Sequence, residues 1–553
     1  MKLKIVIQVI SLLIYAGAQA QTDYMVGASK VSIEPAQSAF SLALAGYGVP
    51  REGRFTLEWV DKGAANNSNP LWRQISRSRS PAASVNNFKL DKALLPGGLL
   101  NLAIHQKQIY ALTDGNALLK YQPAKQQKWL SIARYNGLTY NQDIREVVIA
   151  KGMLYGIGKD NRVYMAVHSS NEDLSVSALA IKADQKTVVI MGMDVCGINS
   201  SFIEPIKQHI YKTFKIPPSA ILINASHTHF APVSQDWSTW GEPMQYPDSI
   251  YLNTVIKEAI VKAVKTALKN MKRSSIQFGR GKTNIGMNRS LTGADALYDN
   301  DVDVLVANHT KGGSKDLIFL TGCHPVFDNS GKEGVTISAN YPGVVRRHLF
   351  DEAGIANALF LQGCGGDINP KQNSYVKTGD SLALDVLNIL NSPMKRIEGA
   401  ISYRLDTLRV PVKSMPVQNI RDFKADNSNQ PGNVYAEKNV RWADLMLNYV
   451  AENKMPQVMP VYIQTINIGN WKLVGLSREA VTAYSIGIKG LWPDQLVSVA
   501  GYCNDVSSYL PTRAHIKAQG YEGLDSFYWY GQPAVFPENI YEQIVDRIKE
   551  KNY

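Results

Sequence analysis

Cysteine is scarce in this chain: Cys196, Cys323, Cys364 and Cys503 are the four among 553 residues. Four cannot build a disulfide scaffold, so an ordinary apolar core must hold the fold. Each ends an apolar run, where burial is the expected state. Past its first twenty residues the chain has no apolar stretch long enough for a membrane-spanning helix. Its basic residues are dispersed and no nucleic-acid motif is present, so nucleic acid is not an expected partner. There is no Gly-x-Ser-x-Gly turn, the elbow that presents a nucleophilic serine in many hydrolases. Charged residues make up 19% and hydrophobic residues 45%. That balance describes a globular protein with a large core. The length allows about two to four domain equivalents.

The N-terminus carries Lys2 and Lys4, an apolar run over 5–15, and Ala18-Gln19-Ala20. This is the layout of a secretory signal peptide cleaved after Ala20, which predicts an exported protein, periplasmic or secreted. The formal net charge of +12 suits peripheral contact with an anionic membrane surface. It suits a solvated face equally.

From about residue 176, apolar runs alternate with amphipathic stretches. The runs include Thr187 to Met191, Ala220 to Ile223, Asp303 to Val306, Leu317 to Leu320, Ala358 to Leu361 and Leu473 to Leu476. Residues 249–272 repeat apolar positions at helical spacing, and a second helical stretch opens with Pro342 in its first turn. The pattern predicts an α/β domain built on a mixed sheet, formed by 21–52 and 174–553. Residues 53–173 differ, with short alternating runs rich in Asn, Ser, Gln and Tyr. Leu102 to Leu112 resembles Val147 to Ile157, and each passes through a Gly/Asp turn into a second strand. That spacing suits a propeller-blade repeat, but two copies cannot close a propeller. A β-rich insertion of hairpins is the expectation. Trp59, Trp72, Trp129, Tyr135 and Tyr140 could stack on a substrate there or fill the insertion's own core.

The chemistry-bearing residues stand where strands should end. Ser226-His227-Thr228-His229 follows Ala220 to Ile223, and Cys323-His324-Pro325 follows Leu317 to Leu320. Glu479 follows Leu473 to Leu476, and Gly363-Cys364-Gly365-Gly366-Asp367 follows Ala358 to Leu361. Two histidines and a carboxylate at strand ends suit a catalytic zinc ion with an open position.

In these motifs, and in their order, the chain resembles the neutral (non-lysosomal) ceramidases. The markers are Gly27 to Pro35, Gly46-Tyr47-Gly48, Ser226 to His229, Asn288-Arg289-Ser290, Cys323-His324-Pro325, Gly366 to Pro370, Arg478-Glu479-Ala480, Tyr509 to Thr512 and Gln519 to Gly523. The resemblance implies zinc ligation by His227, His324, Glu479 and Tyr509. It implies that His229 handles the proton and that Arg289 and Tyr521 face the scissile carbonyl. The implied reaction is zinc-dependent hydrolysis of the amide of ceramide or a related N-acyl lipid.

The chain departs from the family pattern in three respects. Asn369 stands where the family carries a serine, so no covalent acyl-enzyme is expected there. No counterpart of the family's C-terminal immunoglobulin-like domain is expected in this chain. The segment 53–173 interrupts the family pattern directly after Gly46-Tyr47-Gly48, near the active-site mouth in the family. Substrate choice is therefore open between an N-acyl lipid and an acylated sugar or glycan. A binding protein with a lost active site is the third alternative, opposed by the retained set of site residues.

Overall fold

The computed structural model describes residues 24–35, 42–45, 56–79, 95–105, 107–123, 128–135, 141–151, 153–168, 170–171, 173–241, 244–327, 336–351 and 355–550. The N-terminal leader motif and Gly46-Tyr47-Gly48 lie outside them. No described helix is long and apolar enough to cross a membrane.

The alternating apolar runs assemble into a large mixed sheet. In spatial order its strands are Ile221–Ala225, Lys186–Met193, Ser175–Ala183, Tyr24–Ser32, Lys272–Lys282, Asp301–His309, Lys315–Thr321 and Ile355–Gln362, with short Lys395–Ile397 also pairing with Lys272–Lys282. The outermost pair at each end is parallel and the strands between are antiparallel. Parallel neighbours need a long crossover. Helices Ser200–Phe214 and Asn340–Asp351 supply the two required. The strand Ile221–Ala225 is buried at every position, as its unbroken apolar run demands. The two edge strands meet through one side chain. Asn224 Nδ2 donates to the Gln362 carbonyl at 3.1 Å, and the Gln362 amide donates to Asn224 Oδ1 at 2.8 Å.

A second sheet orders Ile401–Pro411, Val458–Ile468, Trp471–Leu476 and Leu496–Ala500. Between its first two strands the chain makes a helical hairpin, Val417–Ser428 and Val434–Ala451. Ile420 is the one buried residue of the first of these helices, so its apolar periodicity is faint.

Residues from Thr56 to His168 form an eight-stranded sheet of their own. It consists of two four-stranded meanders. The first is Leu99–His105, Gln108–Thr113, Ala117–Tyr121 and Trp129–Tyr135. The second is Ile144–Ala150, Met153–Gly158 and Arg162–His168, completed by Thr56–Ala64 from the start of the segment. The two similar sequences are therefore equivalent hairpins, each with a left-handed lysine at its turn, Lys107 and Lys151. Leu57 pairs with His168, so the chain enters and leaves this sheet side by side. Trp59 is buried there and donates to Asn141 Oδ1 at 3.2 Å. Trp129 lies 5.1 Å from the Tyr121 ring, and the Arg79 guanidinium sits 5.7 Å over Trp72. The Tyr135 side chain and Tyr140 lie outside the described residues.

The large sheet is tied to helix Thr482–Gly490 by Lys489, whose Nζ lies 2.6 Å from Asp299 and 2.8 Å from Asp301. Burial alone would raise the Asp301 pKa, but Lys489 and Lys282 outweigh it and bring it down to about 2. A depressed carboxylate pKa contributes stability above its unfolded value and loses it as pH falls through the folded one. The contribution is about 2 kcal/mol at neutral pH. Lys489→Met is expected to lower stability by about 3 kcal/mol, because Asp299 is left without its cation and Asp301 keeps only Lys282 and Arg280. It should also flatten the acid limb of stability between roughly pH 4 and 2. Chemical denaturation at several pH values reads both, and unchanged acid behaviour in the variant would disprove the linkage.

Candidate metal centre

Five strand ends converge on one point. Ile221–Ala225 leads to His227, Lys315–Thr321 to His324 and Trp471–Leu476 to Glu479. Ile355–Gln362 leads into the glycine-rich turn, and Leu496–Ala500 leads on to Tyr502 and Tyr509. Glu479 and Tyr509 are register partners in a short parallel ladder. The turn is the hub. The Gly366 amide donates to the Ala480 carbonyl at 3.0 Å, the His324 amide to Ile368 at 2.9 Å and the Arg289 amide to Asp367 at 2.9 Å. A Cβ on Gly366 would lie 2.7 Å from the Glu479 carbonyl oxygen, so only glycine permits this approach.

His227, Arg478 and Tyr502 all have positive φ, at 66°, 70° and 54°. Such backbone costs about 1–3 kcal/mol per residue and persists where surrounding structure enforces it. Here backbone hydrogen bonds do so. The His227 amide donates to Val195, that of Arg478 to Asp505 and that of Tyr502 to Arg478. The buried Arg478 guanidinium adds bonds to the Pro460 carbonyl and Ser508.

The side chains are fixed as metal ligands require. His227 Nδ1 donates to the Cys196 carbonyl at 2.6 Å, and His324 Nδ1 to the Gly365 carbonyl at 2.8 Å. Each tautomer is thereby set, with the Nε2 lone pair free. Those Nε2 atoms stand 3.1 and 3.3 Å from the same oxygen, Glu479 Oε2. Tyr509 Oη lies 3.5 Å from His324 Nε2. Donors around a tetrahedral ion with ordinary zinc bond lengths sit about 3.3 Å apart, so the set fits a metal ion. His227, His324 and Glu479 are all buried.

The electrostatics agree. Burial raises the Glu479 pKa, but His227 and His324 hold it well below the usual carboxylate range. Burial works against charge on His227, yet Glu479 pushes its pKa up to about 10. Burial, then Arg289, draws His324 down to about 4. A cation held among these donors would balance the Glu479 charge.

The three remaining predicted residues surround this set. His229 Nε2 is 3.1 Å from His227 Nε2, and burial and then His227 hold its pKa well below normal. Arg289 donates to Glu522 Oε1, Asn369 Oδ1, the Gly366 carbonyl and Tyr509 Oη, at 2.9, 3.0, 3.0 and 2.9 Å. Tyr521 packs edge-on to Tyr509 at 5.4 Å between ring centroids and is 41% exposed.

No protein-family model matches the chain, and no curated protein matches its sequence. Solved structures do match in fold. The crystal structure of neutral ceramidase from Pseudomonas aeruginosa shares 17% identity over 70% of each chain, with a TM-score of 0.53. A ceramidase complexed with C2 shares 15% identity over 69% of this chain and 71% of that one, with a TM-score of 0.54. The chain has the neutral ceramidase fold. The α/β class expected from the alternating pattern is borne out with it.

Within this ceramidase fold, sequence reasoning missed several groups that support the centre. Tyr530 Oη donates to Glu479 Oε1, and Tyr502 Oη lies 3.5 Å from Glu479 Oε2. The Tyr502 ring packs 4.6 Å from His227. Glu522, which anchors Arg289, was within reach because it adjoins Tyr521 in the Gln519 to Gly523 motif. Nothing in the sequence separates Tyr502 or Tyr530 from the other tyrosines. Asn369, at the position of the family's serine, is tied to Arg289 through its amide oxygen, which accepts the bond, a role its chemistry permits.

Proposed function

We propose that the protein is a zinc-dependent amidohydrolase of the neutral ceramidase type that cleaves ceramide or a related N-acyl lipid. The observation that carries this reading is the convergence of two tautomer-locked histidines on one buried carboxylate oxygen. Tyr509 completes a set of two histidines, one carboxylate and one phenol that suits zinc. Bound there, zinc would supply an acidified water and polarise the scissile carbonyl. His229, neutral at physiological pH, accepts a proton and returns it to the departing amine. Arg289, rigidly held, places a positive charge beside Tyr509. The Tyr521 hydroxyl is the donor for the charge that develops on the carbonyl oxygen. Tyr530 and Tyr502 hold Glu479 in place. The reading includes export by the N-terminal leader and action at a lipid surface.

Hydrolysis of a ceramide and of N-acetylated sugars by purified protein, with and without chelator, tests this. Ceramide turnover that is lost on chelation and restored by zinc is the expected result. Turnover of sugars alone would move the substrate, and turnover of neither would remove the activity. Because Asn369 offers no nucleophile, serine-directed phosphonylating reagents are expected to leave the rate unchanged. Stoichiometric inactivation by such a reagent would refute the metal mechanism.

A further inference from the structure

A half-open cavity of about 430 Å³ lies apart from the metal centre, at the start of helix Ser200–Phe214. Ile203, Leu405 and Tyr462 give it apolar walls, with the polar groups of Ser200, Thr407 and Lys207 among them. Lys207 is 1% exposed. Its Nζ donates to Asn504 Oδ1 at 2.6 Å, a neutral amide oxygen. A buried ammonium normally has a carboxylate for company, because the loss of hydration is otherwise uncompensated. The charges around it do not fill that role. Glu204, on the same helix, also lines the cavity, but it is exposed and bonded by Gln208. Asp505, from the facing loop, accepts from the Ser200 amide. The Cys503 thiol is pushed up to about 12 by burial, which keeps it neutral. Burial accordingly lowers the Lys207 pKa to about 8, against a partial opposing pull from Glu204.

We propose that this cavity binds a monocarboxylate with a hydrocarbon body. Its carboxylate pairs with Lys207, and its body lies against Ile203, Leu405 and Tyr462. The apolar walls favour such a ligand over inorganic phosphate, which would leave them uncovered. The proposal does not rest on amide hydrolysis. Occupancy would still be felt nearby. Asn504 Oδ1 also accepts from the Ile223 amide at 3.2 Å, and the Asn504 amide donates to the Ile223 carbonyl at 2.7 Å. Ile223 lies in the strand that leads to His227.

The test is calorimetric titration of the full chain with octanoate, octan-1-ol and octylamine. Wild-type protein is expected to bind octanoate and neither of the others. Lys207→Met is expected to weaken octanoate binding by about tenfold or more, the usual loss for a charged hydrogen bond. Leu405→Trp fills the cavity while keeping Lys207, and should also lose binding. It answers the question if the lysine variant does not fold. Glu479→Ala, with its metal centre broken, should bind octanoate as wild type does. Equal binding of octan-1-ol would overturn the proposal. So would octanoate binding that survives both cavity variants, or that disappears in Glu479→Ala, which places the carboxylate on the metal.

Discussion

His227→Ala and Glu479→Ala are expected to lose bound metal and amide hydrolysis together. Glu479 Oε2 lies within 3.3 Å of both histidine Nε2 atoms, so either substitution leaves three donors of the four. The loss should exceed the roughly 10–100-fold that altering a hydrogen-bond partner of a metal ligand costs. Tyr530→Phe supplies that milder comparison, since it removes a hydrogen bond to Glu479 and leaves every donor in place. Elemental analysis and turnover of the three variants should therefore give a graded series, with Tyr530→Phe between wild type and the ligand variants. Thermal stability provides a further readout, because a metal bound only by the folded state raises the melting temperature. Added zinc should stabilise wild type and leave His227→Ala unmoved. Full metal occupancy in both alanine variants would refute the ligand assignment.

Legibility of the fold followed the strength of its local signals. The strands at either end of the large sheet are continuous apolar runs, because both faces are covered. They stood out in the sequence, and the histidines after them could be placed at strand ends. The hairpin Val417–Ser428 and Val434–Ala451 was not legible, since its first helix buries little beyond Ile420. The two meanders between Thr56 and His168 could be seen as a repeat. What could not be seen is that Thr56–Ala64 completes the second one by pairing with Arg162–His168, far downstream in the chain. Long-range strand pairing leaves no local periodicity behind.

The site divides in the same way. His227, His324 and Glu479 were found by residue type and strand-end position. Tyr509 was found through family resemblance, because tyrosine is a rare zinc ligand. The partners that set the geometry were invisible. The carbonyls of Cys196 and Gly365 fix the histidine tautomers, and any residue supplies a carbonyl. The left-handed backbone at His227 and Tyr502 is likewise enforced by tertiary hydrogen bonds, since residues other than glycine seldom adopt it.

The family resemblance implies that Arg289 faces the substrate carbonyl, whereas its four hydrogen bonds tie it first to the protein. That changes what its removal should do. Burial raises the Tyr509 pKa far above normal, Glu479 adds to the rise, and Arg289 opposes it. Removing the guanidinium makes the Tyr509 oxygen a poorer anion and leaves Glu522 without its cation. Arg289→Ala is therefore expected to slow turnover by about a hundredfold or more, as loss of a preorganised electrostatic group does. It should also weaken metal binding, by less than a ligand variant does. Arg289→Lys should recover little, because one ammonium cannot reproduce a planar fork that reaches four acceptors. Tyr521→Phe is the discriminating control. Tyr521 is 41% exposed and packs edge-on against the Tyr509 ring. It should slow turnover at unchanged metal affinity. If Arg289→Ala and Tyr521→Phe both turn over at wild-type rates, the reacting carbonyl lies elsewhere. If Arg289→Ala is slow while its metal affinity equals that of wild type, Arg289 acts on substrate alone and its contact with Tyr509 has no part in holding the ion.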